Sequence, residues 1–190
     1  ALASAGCIQI LAGLLHDSRN KKPQLVASMQ KELASALWSM SADNPENQTA
    51  IAEAGSISIL IELLRLKTEG GSPEVHGDAA GALWSLAADA NNRKIVADAG
   101  GIVALVGLLR HGNQGAQETS AGAVHSLALR SQNRVAISDA GGIPQLVHLF
   151  EVGSPEAQDQ AAGALKELVT NNSVNQSAVA RELVAMLSGK

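Results

Sequence analysis

Apolar residues recur along the chain at helical spacing, in a block that appears four times. Each block follows an Ala-Gly pair, and the glycines of these pairs are Gly6, Gly55, Gly100 and Gly141. An aliphatic or aromatic residue stands two, five, eight and nine positions after each glycine. In the third block these residues are Ile102, Leu105, Leu108 and Leu109. This spacing predicts one apolar stripe along a helix of about three turns.

A second block follows in every unit and has the form small-Ala-Leu-x-Ser-Leu or a close variant. It occupies residues 35–40, 81–86, 122–127 and 163–168. The small residues at its start permit two helices to approach closely. Before it, the Ser-Pro-Glu triplets at 72–74 and 154–156 supply an N-cap, a proline for the first helical position and an acid for the positive helix end. Each unit is therefore predicted to contain three helices, and no strand is expected.

The repeats predict how the chain is organised. The Ala-Gly glycines are expected to be left-handed, because a first helix ends there and the chain turns sharply into the second. Unit boundaries are expected near Asp43, Ala90 and Ser131. The predicted parts of one all-α domain are a truncated first repeat (1–43), three full repeats (44–90, 91–131 and 132–172) and a C-terminal capping helix (173–190).

The sequence also allows predictions about the two ends of the array and about its two longer loops. The truncated repeat is expected to expose Ile8 and Leu11, which predicts weak self-association through that end. The first two units contain extra residues between their second and third helices, at 16–23 and 67–73. These loops are either tolerated insertions or contact elements for a partner. The capping helix is expected to cover the last repeat with one apolar face, formed by Val179, Leu183, Val184 and Leu187.

Composition narrows the classes of function. A net charge of −4 argues against a nonspecific nucleic-acid binder. No apolar run reaches the roughly 20 residues of a membrane-spanning helix. The single Cys7 excludes an internal disulfide and a cysteine-based zinc site, and favours a reducing compartment, the cytoplasm or nucleus. Because only 2% of the residues are aromatic, Leu, Ile, Val and Ala must form the core.

The sequence gives no basis for catalysis, a metal site or a cofactor. No two of the five histidines stand three or four positions apart, so a metal site is not expected. Cys7 is expected to be a small helix-packing residue rather than a nucleophile. His76 and Asp78 cannot converge from one helix face, and no Ser-His-Asp arrangement is found. The chain is therefore predicted not to be an enzyme.

The order of these motifs resembles the armadillo-repeat family. The resemblance rests on three helices per unit, the aliphatic-x-acidic-Ala-Gly turn and the third-helix segment Gly-Ala-Leu-Trp-Ser-Leu at 81–86, and it covers nearly the whole chain. It implies a right-handed superhelical solenoid whose third helices line a concave groove. Grooves of this kind, as in β-catenin and the importin-α group, hold extended peptide segments of partner proteins.

One departure from the importin-like pattern limits what the resemblance implies. That groove carries a Trp, and an Asn four residues later, on successive third helices. The Trp positions hold Ser35, Gly81, Gly122 and Gly163 in this chain. The Asn positions hold Ser39, Ser85, Ser126 and Glu167. Binding of nuclear-localisation signals in that manner is therefore not expected.

The third helices offer a different candidate site for a peptide. Residues that point away from the core stripe form a row, which consists of Trp38, Trp84, His125 and Lys166. Beside it, Gly81 and Gly122 are expected to leave space for a partner side chain that stacks on an indole. The residue directly after each member of the row carries a hydroxyl or a carboxylate. These residues are Ser39, Ser85, Ser126 and Glu167. The alternative is that both Trp residues pack between adjacent third helices.

Charged residues are unevenly distributed along the repeats, and this distribution predicts the orientation of a bound peptide. Basic residues of the first unit (Arg19, Lys21, Lys22 and Lys31) contrast with acidic residues of the last, which predicts that the acidic end of a bound peptide faces the first repeat. Two functions remain open. One is a non-catalytic scaffold that binds an extended peptide. The other is a structural segment of a larger enzyme or transport assembly that contacts its own chain.

Overall fold

A computed structural model describes residues 2–17, 23–65 and 73–189. Over these residues the regular structure is entirely helical, which confirms the predicted all-α class. The helices are α1 (Leu2–Asp17), α2 (Pro23–Ser41), α3 (Pro45–Glu53), α4 (Ser56–Arg65), α5 (Pro73–Leu86), α6 (Ala90–Asp98), α7 (Gly101–His111), α8 (Gln114–Ala128), α9 (Ser131–Asp139), α10 (Gly142–Val152), α11 (Pro155–Val169) and α12 (Ser173–Leu187). The two longer loops of the first units lie largely outside the described residues.

Three successive units contain a first, a second and a third helix each. Glycines turn the chain between the first and second helices, with φ of +75° at Gly55, +76° at Gly100 and +79° at Gly141, as predicted. The break predicted at Gly6 is absent, because Gly6 lies inside the continuous helix α1. Because the helix is continuous there, the amides and carbonyls around Gly6 keep partners within the helix.

The helices form two packed layers with the core between them. Third helices α2, α5, α8 and α11 pack side by side, and second helices α4, α7 and α10 pack behind them. Fully buried leucines from both layers fill the space between, among them Leu60, Leu83, Leu105, Leu127 and Leu146. Small Ala residues complete this core, as the low aromatic content requires. The outer surface of α2, α5, α8 and α11 is called the third-helix face below.

A row of asparagines connects each unit to the one before it. Asn92 is buried, and its Nδ2 donates to Leu86 O at 3.1 Å and to Gln48 O at 3.3 Å. The first carbonyl ends a third helix, and the second belongs to the first helix of the preceding unit. The same pair of bonds is made by Asn133, to Leu127 O and Arg93 O, and by Asn175, to Leu168 O and Arg134 O. These bonds fix the register of neighbouring units.

The residue that follows each asparagine, and Gln48 after Asn47 in the first full unit, also binds the end of a third helix. Its side chain donates a hydrogen bond to the carbonyl that comes next along the same helix. Gln48 Nε2 donates to Ser41 O at 3.0 Å, and Arg93 Nη1 donates to Ala87 O at 2.9 Å. Arg134 Nε donates to Ala128 O at 2.8 Å in the next unit. Carbonyls at a helix C-terminus have no partner within the helix, so these side chains supply the missing donors.

Two expectations about the ends of the array are wrong. Ile8 is 0% exposed because α1 packs against α3 and α4, and Leu11 is half-buried against the core. On α12, the buried bonds of Asn175 orient the helix so that Val179 faces the core, and Leu183 packs partly against it. Val184 and Leu187 then lie on the other side and are 66% and 82% exposed.

We predict that Asn92→Ala lowers the free energy of unfolding by about 1–3 kcal/mol, because two buried hydrogen bonds are lost. Urea denaturation followed by circular dichroism measures the difference. Asn91→Ala is the matched control on the same helix, where the side chain is exposed, and it should change the free energy by less than about 0.5 kcal/mol. Equal effects of the two substitutions would contradict the role of the asparagine row.

Candidate functional site

The third-helix face places the predicted row of side chains on successive helices. Trp38 lies on α2, Trp84 on α5, His125 on α8 and Lys166 on α11. The three ring residues are half-buried and Lys166 is exposed. The row is therefore accessible along its length, although the rings are also engaged with the neighbouring helix.

Each ring of the row packs on a small residue of the next third helix. A Cβ atom at Gly81 would lie 2.5 Å from the Trp38 indole, and one at Gly122 would lie 2.5 Å from the Trp84 indole. A Cβ at Gly163 would lie 2.5 Å from the His125 imidazole. These distances are too short for any side chain atom, so the glycines admit the rings.

The space expected over Gly81 and Gly122 for a partner side chain is therefore occupied, and that expectation is wrong. Spacing along one helix predicted a gap over each glycine, but the ring that fills it comes from the preceding repeat. Both interpretations of the Trp residues hold in part. Each indole packs between two third helices and keeps part of its surface exposed.

One turn before each of these glycines stands a polar residue beside the ring. Gln160 shows the arrangement directly, since its Oε1 lies 3.1 Å from Nδ1 of His125. The equivalent residue beside Trp84 is Thr119, whose hydroxyl donates to Gly115 O and Ala116 O of its own helix. The equivalent position, three residues before Gly81, holds Asp78. These residues were not among the predicted site residues, although all of them stand three positions before the glycine of the second block.

The remaining predicted site residues also reach the third-helix face. Ser39 is exposed, and Ser85 and Ser126 are half-buried. Glu167 is tied to the neighbouring first helix, because Arg134 Nη2 lies 3.3 Å from its Oε2. The serines therefore keep exposed surface, whereas the Glu167 carboxylate already has a cationic partner.

Three carboxylates, those of Glu32, Glu74 and Asp78, lie near the junction of α2 and α5 together with the ammonium group of Lys31. Partial burial raises the pKa of Asp78, and Glu32 and Glu74 nearby raise it further while Lys31 lowers it. Over the described residues no group of three or more His, Cys, Asp or Glu is placed to hold a metal ion. Cys7 is exposed on α1, which contradicts its expected packing role, since α1 presents that side to solvent.

The asparagine row was also overlooked by the sequence analysis, although a signal was present. Asn47, Asn92 and Asn133 each stand eight positions before the glycine that ends a first helix. Asn47 donates from Nδ2 to Met40 O at 2.7 Å, the carbonyl equivalent to the one that Asn92 binds. This row supports the site indirectly, because it holds each third helix against the next unit.

Stacked three-helix units whose third helices share one layer define an α-solenoid. A sequence profile described as the Armadillo/beta-catenin-like repeat matches residues 44–88, 89–129 and 130–170, more than half of the chain. The chain therefore belongs to the armadillo-repeat family. No curated protein sequence matches it.

Several solved structures similar to this chain are engineered proteins. One engineered protein is 30% identical with a TM-score of 0.80, over 92% of this chain and 40% of its own. A second engineered protein is 29% identical with a TM-score of 0.79, over 92% of this chain and 67% of its own. A designed armadillo repeat protein in complex with the peptide (KR)4 is 23% identical with a TM-score of 0.80, over 95% of this chain and 72% of its own. This chain thus spans only part of their length.

We predict that Gly122→Ala lowers the free energy of unfolding by about 1–3 kcal/mol, because the added methyl group displaces the Trp84 ring. Gly107→Ala is the matched control, since nothing lies within 4 Å of a Cβ there. That substitution should stabilise the protein by about 0.5–1 kcal/mol through helix propensity. Urea denaturation compares the two, and a stabilised Gly122→Ala variant would contradict the ring-on-glycine packing.

We also predict that Asp78→Asn raises the urea denaturation midpoint near neutral pH. The pKa of Asp78 is raised by burial, so the folded protein binds the proton more tightly than the unfolded chain. Ionised Asp78 therefore lowers stability above its folded pKa, and this loss is absent below the pKa of the unfolded chain. The difference between variant and parent should diminish at about pH 3. A variant that is less stable than the parent near neutral pH would contradict the prediction.

Proposed function

We propose that this armadillo-repeat chain is a non-catalytic scaffold that binds an extended segment of a partner protein along the third-helix face. The observation that carries the proposal is the row of partly exposed side chains at repeat spacing on four successive third helices. Trp38 and Trp84 are the anchors, and His125 and Lys166 extend the row. Serine hydroxyls at Ser39, Ser85 and Ser126 lie beside it for hydrogen bonds to the bound main chain.

The dimensions of the face suit a short extended segment. Packed helices lie about 8–10 Å apart, so four third helices span roughly 30 Å between their outer axes. An extended chain advances about 3.3 Å per residue, and about nine residues therefore cross the face. A serine hydroxyl is a weaker partner for a main chain than an amide with both donor and acceptor, so affinity for one short peptide should be modest.

The fixed rings favour binding over a purely structural role. Each indole is held in one place by the glycine beneath it, so a partner does not need to order the ring when it binds. Trp is also a frequent hot-spot residue in protein interfaces. A designed armadillo repeat protein in complex with the peptide (KR)4 supports a peptide ligand for this fold. We propose a protein partner rather than nucleic acid.

The proposal also includes the domain organisation of the chain, its cellular compartment and its self-association. We propose one domain with a truncated repeat at 1–43, repeats at 44–90, 91–131 and 132–172, and a capping helix at 173–190. A single cysteine suits a reducing compartment, the cytoplasm or nucleus. Among the described helices none combines the length and hydropathy that a membrane span needs. Weak self-association through the first unit stays a prediction.

The alternative function is a structural segment that contacts other parts of its own chain or assembly. The observation in its favour is the outer side of α12, where Val184 and Leu187 are exposed. On the inner side of α12 an apolar cavity of about 220 Å³ lies between α10, α11 and α12, lined by Phe150, Leu165, Val169, Val179 and Leu183 among others. Contacts made in the cavity would involve Lys166, which also lines it, but neither of the two Trp residues.

We predict that Trp84→His weakens binding of partner peptides at least about tenfold, because a hot-spot indole contributes about 2 kcal/mol or more. The chain itself places an imidazole on a glycine at His125, so this variant preserves the packing. The probes are peptides selected from a random nine-residue phage-display library against the unmodified chain, and fluorescence anisotropy measures their affinity.

Val103→His is the matched control, because it places the same ring on an exposed position of α7 behind the face. It should leave the affinity unchanged within about twofold. Peptides that bind Trp84→His as tightly as the parent, but lose binding when Val184 and Leu187 are both replaced by Ser, would favour the alternative function.

A further inference from the structure

The side of α11 that faces away from α8 is less well covered than the same side of the third helix before it. Ala121 of α8 is 0% exposed, whereas its equivalent Ala162 on α11 is half-buried. On the second helices behind, Leu109 of α7 is 2% exposed, and its equivalent Phe150 on α10 is 40% exposed. Ala162 and Phe150 both line the apolar cavity between α10, α11 and α12.

Helix α12 differs from the first helices of the inner units in one respect. Counted from Asn175, Leu183 stands at the position that corresponds to the left-handed Gly141. No glycine turns the chain there, and α12 continues to Leu187 as one helix of 15 residues, whereas α6 and α9 have nine each. The second part of α12 therefore extends beyond the point where the other first helices end.

This continued part covers α10 in the place of a further second helix. Between inner units, Val106 of α7 faces the next second helix, since a Cβ atom at Gly142 of α10 would lie 3.4 Å from its Cγ2. The equivalent Val147 on α10 is as buried as Val106, at 5% exposed, and α12 is the helix that packs against α10 there. The position of a further second helix is therefore taken, whereas the position of a further third helix beside α11 is open.

A cation stands at this open position. Lys166 is exposed, and its ammonium group makes no ion pair with another described residue. At the equivalent place on α8, Nδ1 of His125 lies 3.1 Å from Oε1 of Gln160 on the next third helix, and the ring packs on Gly163. A helix beside α11 would therefore bring the residue that stands three positions before its own small residue to Lys166. A carboxylate at that position gives Lys166 an ion pair.

An anion on α11 indicates the direction of such a helix. Asp159 is exposed and corresponds to Gly77 of α5, four residues before a glycine that receives a ring. A Cβ atom at Gly77 would lie 3.7 Å from the amide nitrogen of Ala116, in the first turn of α8. Asp159 thus stands where the N-terminus of a parallel neighbour lies, and a carboxylate is favourable at that end of a helix.

We propose that an amphipathic helix of a partner protein docks beside α11, parallel to it, in the open position of a further third helix. A carboxylate of this helix pairs with Lys166, and a small residue one turn later packs on the Lys166 stem. Its N-terminus faces Asp159, and an apolar side chain enters the cavity. The inference goes beyond the proposed function, because this helix does not use the Trp residues, and it gives an occupant to the cavity of the alternative function.

Two observations favour a single partner helix. The contact continues an interface that already joins α8 to α11, and the long stem of a lysine can cover apolar surface while its ammonium group meets a carboxylate. A second copy of the chain fits less well, although its α2 carries Glu32 three residues before Ser35. Its α1 would need the place on α10 that α12 already occupies.

The test uses the full chain and a synthetic peptide with the sequence of α11, residues 155–169, in which Gln160→Glu supplies the carboxylate. A hydrocarbon bridge on the solvent side of the peptide holds the helix, because an isolated helix of this length is marginal in water. Fluorescence anisotropy of the labelled peptide measures its affinity for the parent chain and for its variants, and circular dichroism checks that each variant is folded.

Four variants separate the parts of the proposed site. Lys166→Glu reverses the charge, and Ala162→Leu reduces the cavity. Trp84→His reports whether the peptide uses the Trp row. Arg110→Glu, at an exposed position of α7, is the charge-matched control.

We expect the affinity to fall about tenfold for Lys166→Glu and for Ala162→Leu, and to change less than about twofold for Trp84→His and Arg110→Glu. A second peptide with Gln160→Lys should bind the Lys166→Glu variant more tightly than the parent chain, because the charges of the pair are exchanged.

Three results would overturn the docking site. The first is a peptide that does not bind, and the second is equal binding to the parent chain and to Lys166→Glu. Both leave the proposed function intact, since that function is tested by the nine-residue peptides and Trp84. The third is a dimer of the chain alone that light scattering detects and Lys166→Glu dissociates, because the occupant is then a second copy.

Discussion

The thickness of an aromatic ring sets the distance between successive third helices. Trp38, Trp84 and His125 each lie on the backbone of the next third helix, at a glycine where a Cβ atom would come within 2.5 Å of the ring. A larger residue at the glycine would separate the helices, and a smaller residue in place of the ring would leave a cavity. The layer of third helices, and therefore the candidate binding face, depends on this contact.

The other side of each unit is fixed by polar bonds. Buried Asn92, Asn133 and Asn175 join a third-helix C-terminus to the first helix of the preceding unit, and left-handed Gly100 and Gly141 turn the chain into the second helix. Every repeat is thus attached to its neighbour at two edges, by a ring and by an asparagine. A face built in this way is preformed, which reduces the ordering cost when a partner binds.

Sequence periodicity predicted the elements of this fold but not the contacts between repeats. The 3-3-1 spacing after each glycine and the Ala-Leu motif correctly predicted helices, because they describe one helix at a time. The gap expected over Gly81 is filled by Trp38 from 43 positions earlier, a contact that no local pattern encodes. Likewise, the bonds of Asn175, rather than the apolar spacing, decide which side of α12 is buried. The Ala-Gly motif at Gly6 resembled the others but lies inside the continuous helix α1.

The central claim is that a partner segment contacts the exposed parts of both indoles, and it can be observed directly. The chain contains two Trp residues and no Tyr, so Trp38 and Trp84 give the two indole N–H signals in a ¹H–¹⁵N spectrum of the labelled protein. On titration with a library-selected peptide, we expect both signals to shift and saturate together, while the amide signals of the exposed α12 residues Val184 and Leu187 stay in place. Saturable binding that leaves both indole signals unmoved would contradict the account.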